Sequence, residues 1–523
     1  EQLSPSSTLC QPRPLRHSLT HMPARPRKPK GLWSALALCC LDLAALVGAA
    51  DVDTHSPASS EAVVTSERIG TLRRWLVGQG ARISESIRVV YSEARGAELV
   101  AQQDIAAGEE LLFIPASALI SPAAASAASP LARDVAALWQ AESGSQHSSL
   151  HAAAGQKFWS GQLDEMRQMA SQAQVVLAAF LADHWRRGAA SSYAPWLEVV
   201  PKDYPSCPTL WTKDQLRCLA ATEEFDVVVD KQTRWLEEYQ TLLHFVPGLR
   251  DISYADLARA RVAVESRTHG VVLGEPPVEQ TSFVPFADLM NHNATFSALW
   301  KSERTGEQQG FRVTVQGGAK LGSPLLCSYG RKELNEFVRT YGFADEAAPR
   351  EVSLQLELPR DDPYRALRQG LLLELGAYRT FTVRSVAPAM DLQVFGKLLT
   401  FAQVVVAEPE DLEEEDMEKL SDALRGKYLG AALEFLARAA GAARTAEKTA
   451  GAVAGPDAPH GRLCLTFRAL RGEVFAGVVA FAREPREGSE EGVVGEVARS
   501  LRALHASAAG AGSGGARQGG AEL

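Results

Sequence analysis

The residues able to do chemistry gather in two short segments about forty positions apart. The first reads Val284-Pro285-Phe286-Ala287-Asp288-Leu289-Met290-Asn291-His292. The second reads Ser328-Tyr329-Gly330-Arg331-Lys332-Glu333-Leu334-Asn335 and continues to Tyr341-Gly342-Phe343. Together they offer a carboxylate, amides, an imidazole and two phenols, and Glu265-Ser266-Arg267 just upstream adds a guanidinium. Such groups can hold and polarise two reactants through hydrogen bonds. The seven cysteines, at 10, 39, 40, 207, 218, 327 and 464, are widely and irregularly spaced. With no Cys-x-x-Cys pair or Cys/His cluster, neither a zinc site nor a disulfide framework is predicted, and buried thiols are expected.

In this order and spacing the segments resemble the SET methyltransferases. Within them they are most similar to the branch that includes the Rubisco large-subunit lysine methyltransferases and the actin histidine methyltransferase. The family form is P-x-A-D-x-x-N-H, then a strand ending in S-Y-G, then N-x-x-x-x-x-Y-G-F. Three more segments match in the family's order. Arg95-Gly96-Ala97-Glu98-Leu99-Val100-Ala101, with Asp104-Ile105-Ala106-Ala107-Gly108-Glu109, is similar to the opening glycine loop and strand pair. Ser192-Tyr193-Ala194-Pro195-Trp196-Leu197, with Pro201 and Trp211 downstream, is similar to the landmarks of the family's helical insertion, and Ser266-Arg267 corresponds to its S-R step.

The resemblance implies methyl transfer from S-adenosylmethionine (SAM) to a protein side-chain nitrogen, usually lysine, without a metal. It places SAM against Gly96, Ala97, Glu98, Arg267, Asn291 and His292, and the substrate against Ser266, Asp288 and Tyr341. Tyr329 becomes the catalytic residue, its hydroxyl orienting the methyl and the acceptor nitrogen. A narrow, dry channel would favour the neutral amine, whose unperturbed pKa is about 10.4. Two positions depart from the family pattern. Gly96-Ala97-Glu98 replaces G-x-G, and Gly322-Ser323-Pro324 lacks the acidic pair that usually follows the late glycine. Glu98 either crowds the cofactor or belongs to the strand, with only its backbone facing SAM.

The elements that must position these groups follow from periodicity. Ile69, Leu72, Trp75 and Leu76 fall on one face of a helix that ends at Gly78 and Gly80, and short strands follow between Ile83 and Pro115. Helical sequence covers about 162–186 and resumes around Thr212 to Leu219, Glu223 to Leu243 and Tyr254 to Glu265. Strand character returns at Phe283, at Phe311 to Val315 and at Leu325 to Tyr329. The expectation is an α+β chain: a SET-type β fold at 67–345, split by a helical insertion at about 122–265. A mostly helical, substrate-binding-like domain at 350–485 follows, with helices at 364–375, 390–407 and 411–443.

Residues 1–50 have a signal-like layout, a basic stretch from Arg25 to Lys30 followed by an apolar run from Gly31 to Ala50, and 51–66 form a polar linker. The signal suggests a plastid or secretory route, or the cytoplasm or nucleus if that amino terminus is not genuine. A membrane anchor is the competing reading of the run, disfavoured by Asp42. No stable membrane association is expected once the leader is removed. Residues 486–523, rich in Ala, Gly and Ser, are expected to be disordered. The formal charge of −9 argues against nucleic acid and for a basic protein partner. Two alternatives stay open beside a protein-lysine methyltransferase: a histidine methyltransferase, and a SET-derived binding module without activity.

Overall fold

The computed structural model describes residues 66–483 apart from 93–94, 141–152, 304–308, 376–379, 387–388, 391, 414–416 and 450–456. The stretches expected as a leader, as the linker up to residue 65 and as a tail lie outside the described residues, and Ser66, expected to end the linker, begins the first helix. None of the described helices is long and apolar enough to cross a membrane.

Helix α1 (Ser66–Val77) buries Leu72 and Leu76. Next come β1 (Arg82–Ile83), β2 (Ile87–Ser92), β3 (Gly96–Ala101) and β4 (Glu110–Pro115). β2 and β3 form an antiparallel ribbon in which Glu98 lies opposite Val90. β4 is covered on both faces, so Leu111 to Ile114 are all buried although side chains alternate. It lies inside a four-stranded sheet of order β1-β4-β8-β7, completed by β7 (Ala298–Glu303) and β8 (Gly310–Val315).

Helices fill the interval. They are α2 (Pro122–Ala128), α3 (Pro130–Gln140), α4 (Ala153–Met169), α5 (Gln172–Arg187), α6 (Glu223–Phe245) and α7 (Tyr254–Arg267), besides unlabelled single turns. The stretch expected as one helix at 162–186 is two, because the chain breaks at Ala170-Ser171 before α5. α5 is buried without interruption from Val175 to His184 and is the central helix of the insertion. α7 runs directly into the ribbon of β5 (Thr268–Leu273) and β6 (Val278–Phe283).

After the motif segments the chain forms β9 (Arg350–Gln355), α8 (Arg365–Glu374), β10 (Thr380–Val386), β11 (Ala389–Met390), α9 (Leu392–Val406), α10 (Met417–Thr449) and α11 (Pro459–Arg483). This region is mainly helical but includes a three-stranded sheet of order β11-β10-β9 and the helix α11, neither legible in the sequence. Its own core gathers Val352, Leu354, Leu398, Phe401, Leu436 and Phe475. A second cluster, with Leu216, Leu219, Leu334, Phe337, Leu463 and Phe467, joins α11 to the insertion and the Tyr-Gly-Phe segment.

An ion-pair cluster and a covalent link strengthen that junction. The fully buried Arg471 of α11 donates to Glu223 at 2.7 Å and to Glu447 at 2.8 Å. Cys218 and Cys464 form a disulfide with a Cα–Cα distance of 6.1 Å. The expectation of buried thiols is thus corrected for this pair and holds for Cys207 and Cys327. Spacing was uninformative because the partners are 246 residues apart and meet only through the docking of α11.

Candidate active site

The two motif segments lie side by side. The amide of Cys327 donates to the carbonyl of Asn291 at 3.0 Å, and the amide of Asn293 donates to the carbonyl of Cys327 at 3.1 Å. The strand expected at Leu325 to Tyr329 is therefore a succession of bridges. Pro324 pairs with Val100 of β3, and Cys327 pairs with His292 in a parallel bridge. A segment that changes neighbours after two residues cannot build a continuous ladder.

Asn291 joins the glycine loop to this crossing. Its amide group donates to the carbonyls of Arg95 and Ala97, each at 3.2 Å, gripping the backbone on both sides of Gly96. Gly96 has a φ of +67°, which favours glycine, and a Cβ added there would meet no atom within 4 Å. The loop thus presents bare backbone to open space. Glu98 lies in β3 and is buried, with Arg95 3.3 Å from its carboxylate.

His292 is placed by its ring nitrogens and its faces. The amide of Tyr329 donates to Nδ1 at 3.0 Å, so Nδ1 is the acceptor and Nε2 carries the proton, facing Asp345 Oδ2 at 3.2 Å. The rings of Tyr329, Phe337 and Phe343 surround it with centroids 5.2, 4.7 and 6.2 Å away.

The Tyr329 hydroxyl donates to the carbonyl of Met290 at 2.8 Å. Tyr341, at the end of the π turn Phe337–Tyr341, stacks on Tyr329 with centroids 4.9 Å apart. Burial pushes both phenols well above their ordinary pKa, so they remain protonated donors at neutral pH. Gly342, with a φ of +74°, lets this turn approach the insertion, since a Cβ there would sit 2.9 Å from the carbonyl carbon of Ser206.

Asp288 is buried at 6% exposure. Its Oδ2 accepts the indole N–H of Trp196 at 2.9 Å, which ties the Asp-x-x-Asn-His segment to the insertion. Its Oδ1 is buried without a hydrogen-bond partner among the described residues. Burial raises the pKa of this carboxyl, although Arg267 opposes the shift. Arg267 donates to the carbonyl of Asp288 at 2.9 Å and to the hydroxyl of Tyr204 at 3.3 Å, and stands near enough to Tyr329 to act on it electrostatically. The hydroxyl of Ser266 donates to the carbonyl of Val262 one turn back in α7, at 2.7 Å. Asp345 and Tyr204 belong to the cluster but were missed in the sequence, because neither lies inside a motif and both arrive through tertiary packing.

No family model matches the sequence, and no curated protein matches it significantly. Solved structures do match. The crystal structure of the SET domain of LSMT bound to lysine and AdoHcy aligns with a TM-score of 0.51 at 16% identity, over 80% of this chain and 91% of the other. The structure of Rubisco LSMT bound to AdoMet aligns with a TM-score of 0.52 at 16% identity, over 80% of this chain and 92% of the other. The fold is that of a SET domain. The α+β expectation and the resemblance read from the motifs agree with it, and the motif positions supply the loops that meet at the crossing. Among the described residues no group of three or more His, Cys, Asp or Glu side chains could hold a metal ion.

Proposed function

We propose that this chain transfers a methyl group from SAM to a side-chain nitrogen of a protein substrate, with lysine as the acceptor. The observation that carries this reading is the grip of Asn291 on both sides of Gly96, which holds bare backbone next to open space one residue from His292. An open, side-chain-free loop fits a cofactor that must lie against main chain. The SET structures bound to AdoMet, and to lysine with AdoHcy, support the same reading.

In this proposal Gly96, Ala97, Asn291 and His292 hold the cofactor, with Glu98 and Arg267 at the edge of its site. Bound SAM would supply a sulfonium methyl, an electrophile that asks chiefly for alignment. The protein's part is then to aim the acceptor nitrogen and to exclude water. Tyr329 keeps its proton and donates it to the Met290 carbonyl, so its oxygen lone pairs are left to orient the acceptor amine by accepting from its N–H, and it is not a base. Tyr341 forms an aromatic wall by stacking on it. The cationic Arg267 nearby disfavours a second positive charge, which helps a lysine arrive as the neutral amine. Asp288, with one oxygen committed to Trp196 and the other without a good partner, borders the acceptor.

The test has two stages. Calorimetric titration of SAM into the protein should show saturable binding, and its absence would end the enzyme reading. Incubation with labelled SAM and a protein extract should then label a substrate, with mass spectrometry locating the methyl on lysine; a methylhistidine would correct the acceptor. Tyr329→Phe should lower turnover at least about a hundredfold while SAM affinity changes less than about threefold. Undiminished transfer by that variant would remove Tyr329 from the mechanism.

A further inference from the structure

Asp345 follows the Tyr-Gly-Phe segment and belongs to none of the motifs. Its Oδ1 accepts the amide of Ala347 at 3.0 Å, and its main-chain carbonyl accepts the amide of Ala348 at 3.2 Å. The carboxylate is therefore fixed by its own turn, leaving Oδ2 facing His292 Nε2 at 3.2 Å. Both side chains are largely withdrawn from water, at 17% exposure for Asp345 and 5% for His292.

We propose that Asp345 is a positioning residue that sets the orientation of Tyr329 through His292. By taking the Nε2 proton, the carboxylate leaves Nδ1 as the acceptor. Nδ1 then receives the main-chain N–H of Tyr329 at 3.0 Å, while the hydroxyl of the same residue is held on Met290 at 2.8 Å. Tyr329 is thus fixed at its backbone and at its hydroxyl. The aromatic rings around the imidazole define its plane, and the carboxylate adds to the Tyr329 amide the acceptor that holds the proton on Nε2. Without it, the other tautomer would present Nδ1–H, and a flipped ring Cδ2–H, to the Tyr329 amide, and neither can accept its proton. No proton leaves the chain in this arrangement. Its consequence for turnover rests on the methyl-transfer reading, whereas the grip on His292 does not.

The experiment uses the full chain labelled with 15N-histidine, with the His292 signals assigned by their loss in His292→Gln. The wild type should show His292 as a single neutral tautomer protonated on Nε2. Asp345→Ala should broaden or mix that pattern and lower kcat roughly tenfold to a hundredfold, with SAM affinity within about threefold. Asp345→Asn has one oxygen for the two donors, Ala347 N–H and His292 Nε2–H, and should fall between. A folded Asp345→Ala protein with an unchanged tautomer, or with kcat within about twofold of wild type, overturns the proposal. If Asp345→Ala does not fold, Asp345→Asn decides by the same readings. If the wild type transfers no methyl yet the tautomer responds, the methyl-transfer reading fails while the grip of Asp345 on His292 stands.

Discussion

Asn291 offers the sharpest separation between a loop that is merely present and one that is held. Its two amide hydrogens satisfy carbonyls on either side of Gly96, each at 3.2 Å. A neutral hydrogen bond contributes about 1 kcal/mol net, so the pair contributes about 2 kcal/mol of loop order. Asn291→Ala forfeits that term, and because both carbonyls lie near solvent they recover water rather than remain stranded. If SAM binding requires the ordered loop, affinity should fall by about 2 kcal/mol, or roughly thirtyfold. Asn291→Asp should be worse, because a carboxylate would face two carbonyl oxygens with no proton to give. Calorimetry with SAM measures this, with Asn293→Ala as control, since that side chain only accepts from Thr295. A second reading needs no ligand. The side chain of Arg95 is 56% exposed, so trypsin should cut after it faster in the Asn291 variants. SAM affinity in Asn291→Asp within about twofold of wild type, together with unchanged cleavage, would refute the tether.

Three further outcomes are expected. Arg471→Met leaves the buried carboxylate of Glu447 and its neighbour Glu223 without their shared cation, and should destabilise the fold by about 3–5 kcal/mol in urea denaturation; a loss below about 1 kcal/mol would argue against a structural role. Reduction of Cys218–Cys464 opens a closure of 246 residues, for which chain entropy allows up to about 5 kcal/mol. Dithiothreitol should therefore lower the urea midpoint of the wild type and leave Cys218→Ser unaffected, and an insensitive wild type would sink this. Burial, aided by Arg187, lowers the pKa of His184 from 6.5 to about 4. A depressed histidine binds protons in the unfolded chain first, so its contribution is complete above about pH 6.5 and is lost as pH falls toward 4. Its slope approaches about 1.4 kcal/mol per pH unit, and His184→Gln should flatten the stability profile between pH 6.5 and 4.5; parallel profiles would refute the assignment.

The sequence was most legible where a motif and its structural context are local. Helix α1 could be read from Ile69, Leu72, Trp75 and Leu76 because one face of a single helix carries the pattern. The core of β8 could be read from the alternation of Phe311, Val313 and Val315, which are all buried. The segments ending at His292 and Tyr329 were legible as motifs, yet not the way each holds the other. That depends on hydrogen bonds spanning 37 residues from Tyr329 to His292 and 196 from Asn291 to Arg95, which no local pattern encodes. Asp345 was invisible for the same reason. α11 escaped because it buries Arg468 and Arg471 along with its apolar residues, so its sequence lacks a clean hydrophobic stripe.

What α11 does is nevertheless felt near the site. Arg339 sits in the π turn that ends at Tyr341, and it grips the buried Glu224 with contacts of 2.8 and 2.7 Å. Glu223, the residue before it, is held by Arg471 of α11 and also accepts from Asn335 at 3.2 Å. The first turn of α6 therefore stands between α11 and the turn that carries Tyr341, and takes hydrogen bonds from both. Burial raises the pKa of Glu224, and the adjacent Glu223 adds to the rise, so the arginines offset the repulsion between the two carboxylates. Loosening α11 removes the cation that balances Glu223, and the cost falls on a helix start whose other partner is Arg339. A carboxy-terminal region read only as a docking platform would leave that link out. In this fold α11 braces the turn that carries Tyr341, the ring stacked on Tyr329.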